Sequence, residues 1–423
     1  MPRLFWLALL PLWAWGQAAT TEEFIASPTL ATVELYAGDT PLSYPVLYLG
    51  SPGILTLAFD DLGAEPTTYE LRILRCEADW QPSTLPQPQY LTGYSRVELT
   101  NYRPSQQTRV PYVHYEQTIP WQGLRITQSG NYLVQLSRSG QPGSPLLQLR
   151  FLVAEQVLVP SVEIRPSASA TDVQTHHRVA VQVPSNRALV RDPVQELSLT
   201  LLQNFRWAPA RARLKPTYLY PDRLEYDLVP EVEFPAGNEF RTADLRPIAG
   251  RGRGVAFRDC AGSGPCKVQL QPERTRAYAR YLADTDYNGL FAIGLTATDR
   301  QLGAWEADYQ EVSFELQFPD RLVGYAPVLL GAFNRWRPTP ETTLQFDPTL
   351  RVYSTTVLLK QGVYNYQYGL LKLGTTPVPP PDTTPFEGNY RETENSYTAL
   401  VYYRPLGERF DRLLGIGWAA NTR

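Results

Sequence analysis

Three histidines, His114, His176 and His177, are the first residues to consider for catalysis in this chain of 423 residues. The chain has no hydrolase-like Ser/His/Asp spacing, and no G-x-S-x-G, H-E-x-x-H or phosphate-binding glycine loop. His176 and His177 are neighbours entering a strand-like run, so they point to opposite faces and make a poor metal pair. We expect both to be exposed, and we expect His114, between aromatic residues, to be a hydrogen-bonded packing residue. These residues indicate no enzyme, although a hydrolase with an unrecognised site stays open.

The segment DTDYNG, residues 284–289, is the candidate for a metal site. It places oxygen ligands at Asp284, Asp286 and Asn288, as in the first half of a calcium loop. The position that carries a bidentate glutamate in such a loop is Leu295, and the chain runs directly into the apolar run LFAIGL. An Asx-rich turn leading into a strand is the better interpretation, with calcium as the alternative.

Cysteine usage is sparse, with Cys76, Cys260 and Cys266. The last two flank a Gly/Pro turn in RDCAGSGPCK, and in an oxidising compartment we expect them to form a disulfide that closes a small loop. Zinc is the rival interpretation, but no nearby histidine or further cysteine completes a site. Cys76 is expected to be a buried free thiol.

The N-terminus MPRLFWLALLPLWAWGQAAT has the order of a secretory signal. Arg3 supplies the positive charge, an apolar run from Leu4 to Trp15 follows, and small residues come next. We therefore expect residues 1–19 to be a cleaved signal peptide and the rest to be exported, either soluble or peripheral to a membrane; an uncleaved anchor is the alternative. The 39 Lys and Arg nearly balance the 42 Asp and Glu, which argues against nucleic-acid binding and a polybasic membrane anchor.

Strand-like runs dominate the rest of the chain. They are short, evenly spaced and separated by Pro, Gly, Asn and Asp, which is typical of β-sandwiches. The best helical candidate is 272–284. A glycine turn followed by an aromatic and alternating apolar residues recurs from residues 129, 287 and 360. We therefore predict an all-β fold of tandem Ig-like or early-set β-sandwich domains at 22–155, 156–318 and 319–423.

The run LLKQGVYNYQYGL contains Tyr364, Tyr366 and Tyr368 at alternate positions, which predicts a strand with one aromatic face. The preceding run RVYSTTVLL and the turn at 360–362 predict that this strand is the second half of a hairpin. A packed core face is the favoured role of the tyrosines. A docking surface and a sugar-stacking platform are the alternatives.

The segment PVLLGAFNRWRP, residues 327–338, resembles the V-x-G-x-F-N-x-W entry of glycogen-binding carbohydrate modules, which are early-set sandwiches. The run GVYNYQY is similar to a later strand of those modules. This resemblance implies that Trp336 is a sugar-stacking candidate. The second tryptophan that such modules usually carry after the tyrosine strand is missing, so the resemblance supports the fold better than sugar binding.

Several longer phrases resemble a single family. They include RCEADWQPSTLPQPQYLTGY at 75–94, VPYVHYEQTIP at 110–120, GNEFRTADLR at 237–246 and EGNYRETENSYTALVYYRPLGERFDRLLG at 387–415. The residues of these segments, and their order along the chain, resemble sequences of the plug protein family of the type IX secretion system, found in Bacteroidetes. The resemblance runs over nearly the whole chain after the signal peptide.

This resemblance implies a non-enzymatic periplasmic protein that caps the periplasmic mouth of a large outer-membrane β-barrel while no substrate is in transit. It implies that barrel as the partner, with no cofactor, nucleic acid or small-molecule substrate. An exported carbohydrate-binding protein is the alternative. The acidic turn EGNYRETEN and the apolar tail are each expected either to complete the last sandwich or to dock. The candidate partner-binding residues are Trp336, Tyr364, Tyr366, Tyr368, Tyr390, Glu392, Glu394 and Trp418.

Overall fold

The computed structural model describes residues 22–63, 65–246, 252–295, 304–376 and 378–421, and strands account for most of its regular structure. The all-β fold class is therefore confirmed. The predicted signal peptide, residues 1–19, lies outside the described residues. Within the described ranges, no helix is long and apolar enough to cross a membrane.

The first domain is a sandwich with strands β1 (Phe24–Ile25), β2 (Leu30–Ala37), β3 (Val46–Tyr48), β4 (Leu55–Asp61), β5 (Tyr69–Cys76), β6 (Leu91–Gly93), β7 (Arg96–Glu98), β8 (Tyr102–Pro104), β9 (Val113–Ile119), β10 (Leu124–Ile126), β11 (Gly130–Arg138) and β12 (Leu147–Ala154). A 3-10 helix covers Gln87–Gln89. One sheet has the order β1-β12-β11-β5-β7 with β3 beside β12, and the other has the order β2-β4-β9-β8. Strand β11 is buried along nearly its whole length because both of its faces are covered.

The second domain begins with strands β13 (Ser161–Pro166), β14 (His176–Pro184), β15 (Leu197–Gln203), β16 (Arg206–Leu214), β17 (Tyr218–Leu219), β18 (Arg223–Tyr226) and β19 (Glu233–Pro235), with helix α1 at Pro193–Glu196. The domain is completed by the end of the chain, strands β30 (Ser396–Tyr403) and β31 (Arg412–Ala420). Its sheets have the orders β13-β14-β18-β17, with β19 beside β14, and β16-β15-β30-β31.

The third domain is inserted between these parts, with strands β20 (Arg241–Asp244), β21 (Val255–Asp259), β22 (Cys266–Leu270), β23 (Glu273–Arg274), β24 (Phe291–Ile293), β25 (Tyr309–Gln317), β26 (Tyr325–Leu330), β27 (Gln345–Asp347), β28 (Val352–Lys360) and β29 (Gly362–Lys372). A 3-10 helix, Ala332–Asn334, follows β26, and helix α2, Thr384–Glu387, follows β29. One sheet has the order β20-β29-β24 with β26 beside β29; the other has the order β21-β22-β25-β28-β27 with β23 beside β25.

The predicted boundary between 318 and 319 does not divide the sheets. Strands β24 and β29 pair in one sheet, so the echoes from residues 287 and 360 belong to one domain and not to two. Strand β15 pairs with β30, which returns the chain end to the second domain. The boundary was wrong because local strand patterns do not encode which strand a strand pairs with. Residues 272–284 are also not a helix, since β23 lies among them.

The predicted hairpin of β28 and β29 is also wrong. Strand β28 pairs with β25 and β27, whereas β29 pairs with β20, β24 and β26. The short turn at Gln361 therefore carries the chain from one sheet of the sandwich to the other. Such a corner gives the same local sequence signal as a hairpin, because both need a glycine-containing turn between two strands.

The first and second domains are joined by a hydrophobic cluster of their own. It contains Val46, Trp80 and Leu152 from the first domain, and Leu400 and Ile416 from the second. The cluster packs one sheet of the first domain onto the sheet that contains β30 and β31, so the two domains share a continuous apolar interface.

Candidate functional site

The tyrosines of β29 lie in the core of the third domain. Tyr364 and Tyr366 are 2% exposed and Tyr368 is fully buried. Each hydroxyl has a partner: Tyr364 donates to the Lys360 carbonyl at 2.7 Å, and Tyr366 and Tyr368 donate to Glu273 at 3.0 and 2.8 Å. These three tyrosines are therefore not accessible to a partner, and their prediction as candidate partner-binding residues is wrong. Their side chains are packed in the core of the third domain, which is the role that the sequence favoured.

A buried ion network lies at the end of this tyrosine row. The carboxylate of Glu387 is fully buried and accepts hydrogen bonds from Arg241 at 3.0 Å and from Arg276 at 2.6 Å. It also accepts from the backbone amide of Tyr368 at 2.9 Å. Burial alone would raise the pKa of Glu387, but the two guanidinium groups outweigh burial and hold it below its ordinary value. The network fixes α2 against β20 and β29.

The segment EGNYRETEN, residues 387–395, is the connection from the third domain back to the second; we call it the return segment. Tyr390 donates to the carbonyls of Arg276 and Ala279 at 2.6 and 2.7 Å. The Asn395 side chain donates to the Ala236 carbonyl at 2.8 Å. These bonds give the segment a structural role and account for its polar composition.

Among the predicted docking residues of the return segment, exposure differs sharply. Glu392 is exposed, whereas Tyr390 and Glu394 are partly buried, and the amide of Glu394 donates to Glu239. An open cleft of about 410 Å³ lies beside the segment where the second and third domains meet, lined in part by His177 and Glu392. Glu392 is therefore the member of this set that a partner can reach most readily.

Trp336 is used in a contact between domains. Its ring packs edge-on to Phe240, with the centroids 5.6 Å apart. The guanidinium of Arg206, from the second domain, lies over the indole at 4.7 Å from its centroid. Gly289 lies so close that an added Cβ would stand 2.5 Å from the indole. Trp336 is therefore covered by protein groups where a stacking platform would need an open face.

Substituting Gly289 with alanine is expected to displace Trp336 and to destabilise the protein. Gly289 has φ +85°, and its substitution adds a steric clash with the indole to the cost of a left-handed alanine. Gly324, at φ +75° with open space around it, is the matched control. We expect Gly289→Ala to lower the free energy of unfolding by about 1–3 kcal/mol more than Gly324→Ala, measured by urea denaturation. Equal losses would contradict the contact with Trp336.

The DTDYNG segment forms the turn that seats this tryptophan. Asp286 accepts from the amides of Asn288 at 2.7 Å and Phe240 at 2.5 Å, as an Asx turn does. Asp284 pairs with Arg253. Burial raises the pKa of Asp286 to about 6. Among the described residues, no group of three or more His, Cys, Asp or Glu is arranged to hold a metal ion.

The histidines have structural partners. Nδ1 of His114 lies 2.7 Å from Asp60, so it is the packing residue that the sequence indicated. His177 corrects the expectation of exposure: it is 2% exposed, with Nδ1 2.9 Å from the Tyr397 hydroxyl and Nε2 2.6 Å from the Arg391 carbonyl. Burial lowers the pKa of His177. The residues that contact His177, Tyr397 and Arg391, lie 220 and 214 residues further along the chain, so the local pattern did not show its burial.

The apolar tail is strand β31, at the edge of the second domain. Leu413, Leu414 and Ile416 are buried. Leu414 packs in the core of the second domain, whereas Leu413 and Ile416 belong to the cluster shared with the first domain. Trp418 remains 42% exposed and stacks with Tyr44 of the first domain at 5.6 Å between centroids. Trp418 is thus the predicted partner-binding aromatic with the most accessible ring.

The cysteines form the one disulfide and the one free thiol that the sequence predicted. Cys260 and Cys266 are joined by a disulfide, with their Cα atoms 4.4 Å apart, across the turn between β21 and β22. Cys76 is a buried free thiol, and burial raises its pKa to about 12. A thiol of this kind is inert at neutral pH, because the reactive thiolate is scarcely populated.

The interface between the first and third domains holds a charged cluster that the sequence analysis missed. Asp60 of β4 accepts from Lys360 and from Tyr309, both at 2.6 Å, although 300 residues separate the two charged groups. Both charged side chains are 1% exposed. The Lys360 ammonium also lies 4.1 Å from the Tyr112 ring centroid and donates to the Ala304 carbonyl. The available signal was a carboxylate inside the apolar run ILTLAFDDL.

Electrostatics in this cluster follow from the burial. Burial alone would raise the pKa of Asp60, but Lys360 and His114 outweigh it and hold that pKa below its ordinary value. Burial lowers the pKa of Lys360 against the opposing effect of Asp60. Glu34 lies near the same charges, and burial raises its pKa from 4.5 to about 8. The positive charges of Lys360 and Arg335 lower this pKa, and the negative charge of Asp60 raises it further, but burial has the largest effect.

Glu34 predicts a pH dependence of stability. Because its pKa is higher in the folded protein than in the unfolded chain, folding binds a proton between the two values, and the stability it confers is lost as pH rises from 4.5 through about 8. Glu34→Gln is expected to flatten this part of the profile, measured as the urea midpoint at several pH values. The exposed Glu392→Gln serves as the control. An unchanged slope in Glu34→Gln would refute the assignment.

The fold places this chain in a class of all-β proteins with three β-sandwich domains, of which the third is inserted into the second. A buried ion pair connects the first and third domains. Residues 30–155 match the family model described as the type 9 secretion system plug protein 1st domain. Residues 30–155 are therefore similar to the first domain of the type IX secretion system plug family, in agreement with the resemblance seen in the sequence. A domain of this kind indicates a connection with type IX secretion.

A solved structure extends the likeness to the whole molecule. A hypothetical protein from Parabacteroides merdae ATCC 43184 is 28% identical, and the match covers 94% of this chain and 99% of that one, with a TM-score of 0.86. None of the curated proteins matches this chain. The similarity to the solved structure thus covers the second and third domains as well as the first.

Proposed function

We propose that this protein is a non-enzymatic periplasmic plug of the type IX translocon, which caps the periplasmic mouth of the large outer-membrane barrel when no substrate is in transit. The observation that carries the proposal is the match of residues 30–155 to the plug protein first domain. The resemblance in the later domains, including the return segment, is in agreement with it.

The physical demands on such a plug fit the structure. A barrel wide enough for folded cargo leaks small solutes unless a body of fixed form closes it. Here the first domain is joined to the second through an apolar cluster and to the third through buried ion pairing. A net charge of −3 on 423 residues gives no strong field that would recruit nucleic acid or anionic lipid.

The alternative, carbohydrate binding, finds no specific support. Sugar stacking needs an open aromatic face. Trp336 is covered by Arg206 and by the backbone at Gly289, and the tyrosines of β29 are buried. Trp418 is partly open but stacks on protein rings. The glycogen-module resemblance therefore describes the early-set strands of the third domain and carries no binding site with it.

Exposed residues near the domain junctions are the first candidates for the docking face. Tyr278 is 99% exposed and Leu282 is 76% exposed, in the irregular segment before β24. Together with Glu392 and Trp418, they are accessible to a partner. Aromatic residues of this kind are enriched at protein interfaces.

The test is an affinity pull-down of the tagged full chain from detergent-solubilised envelopes of the native host, read by mass spectrometry. The plug function predicts recovery of one very large outer-membrane barrel protein, with cross-links that identify the docking face. A variant that carries both Tyr278→Ser and Leu282→Ser tests this surface. If it is the docking face, the variant recovers less of the barrel protein than the unmodified protein does. Recovery of the tagged protein alone, at low salt and in mild detergent, would contradict the plug function, and retention on a glycan array would then favour the alternative.

A further inference from the structure

Two turns with left-handed backbone meet where the three domains join. In the second domain, Asn204 and Phe205 have φ +50° and +54° between β15 and β16. In the third domain, Arg335 and Trp336 have φ +55° and +58° after β26. Two consecutive left-handed residues are costly for side chains other than glycine, so surrounding contacts must hold each turn in place.

The side chains of these turns connect the domains in a closed ring. Phe205 of the second domain stacks on Tyr44 of the first, with the centroids 4.4 Å apart and the planes 11° apart. Arg206 of the second domain lies over Trp336 of the third at 4.7 Å. Arg335 of the third domain donates to the carbonyl of Val33 in the first domain.

Each turn is also fixed from behind within its own domain. The Asn204 side chain donates to Asn395 at 2.7 Å and accepts from the Ser396 amide at 2.9 Å, which ties the turn to the end of the return segment and the start of β30. The Asn334 side chain accepts from the Gly331 amide and donates to the Leu329 carbonyl, which ties the other turn to β26. The turns are therefore built as rigid supports.

We propose that these two turns form a lock that holds the three domains as a single body. The tryptophan position that resembles the sugar-stacking residue of carbohydrate modules serves here as the part of the lock that receives Arg206. A ring of three contacts resists rotation of any domain, because turning one domain breaks two contacts at once. Burial lowers the pKa of Arg206 to about 10, because the surrounding protein removes water from its guanidinium.

Hydrogen exchange of the intact protein tests the lock through its reciprocity. Trp336→Ala is expected to speed exchange of the Asn204 and Ser396 amides in the second domain on the order of tenfold, the effect of losing a desolvated cation–π contact. Arg206→Ala is expected to speed exchange of the Trp336 and Arg337 amides by the same factor, because a coupling free energy between two sites is mutual. The control is Leu350→Ala, at an exposed position of the third domain.

The result that would overturn the lock is a local one. If Trp336→Ala speeds exchange only in residues 331–337, and Arg206→Ala only near β16, the turns do not couple the domains. Small-angle scattering gives a second readout, with a larger radius of gyration for the unlocked variants. Should Trp336→Ala fail to fold, Arg206→Gln, which removes the guanidinium and leaves the tryptophan in place, decides by the same two measurements.

Discussion

Lys360→Met is expected to lower the free energy of unfolding by about 3–5 kcal/mol, the loss seen when one partner of a buried ion pair is removed. The Asp60 carboxylate is only 1% exposed. After the substitution it would keep its hydrogen bonds to His114 and Tyr309 but would lose the ammonium group that balances its charge. Chemical denaturation followed by tryptophan fluorescence measures the change. Because the pair joins the first and third domains, the loss is expected to appear as separation of those domains before global unfolding.

The matched control is Lys372→Met, which makes the same chemical change at an exposed position in the third domain. It is expected to stay within about 0.5 kcal/mol of the unmodified protein. The double variant Asp60→Asn with Lys360→Met is expected to recover part of the loss, because it no longer buries an unpaired charge. A loss in the double variant equal to the sum of the two single losses would show that the groups do not interact.

Glu387→Ala is the second substitution with a large expected effect, again about 3–5 kcal/mol. It would leave two arginines, Arg241 and Arg276, without their shared carboxylate and the Tyr368 amide without its acceptor. The same denaturation experiment measures the loss, and circular dichroism checks that the β-structure is retained in native buffer.

Glu392→Ala is the control in the same return segment, because Glu392 is exposed. It is expected to leave stability within about 0.5 kcal/mol of the unmodified protein. The pair of variants separates the structural role of the segment from a docking role. If Glu387→Ala were harmless to stability and Glu392→Ala reduced recovery of the barrel partner, the segment would be a docking rim and not an internal connection.

Local patterns in the sequence were sufficient for the fold class and for several local features. Period-two alternation identified β29 as a strand with a tyrosine face, and the Asx spacing identified the turn at 284–289. The disulfide between Cys260 and Cys266 follows from two cysteines across a short turn. Each of these features depends on residues close in the chain, so a short window contains the physics that decides it.

Pairing over long sequence distances was decided by the tertiary structure alone. The insertion of the third domain into the second depends on the pairing of β15 with β30. The residues of neither strand indicate that the other is its partner. The corner at Gln361 and a hairpin have the same local sequence signal, so only the two sheets distinguish them.

The residues alone were enough to identify an all-β chain and the phrases that resemble the plug family, whereas export stays a prediction. The contacts between domains, in contrast, could be seen only in the folded protein. It placed Asp60 against Lys360 and Arg206 over Trp336, each pair bridging two domains. The physical reason is that burial of a charge or a ring is a property of the space around it, and that space is filled by residues far away in the chain.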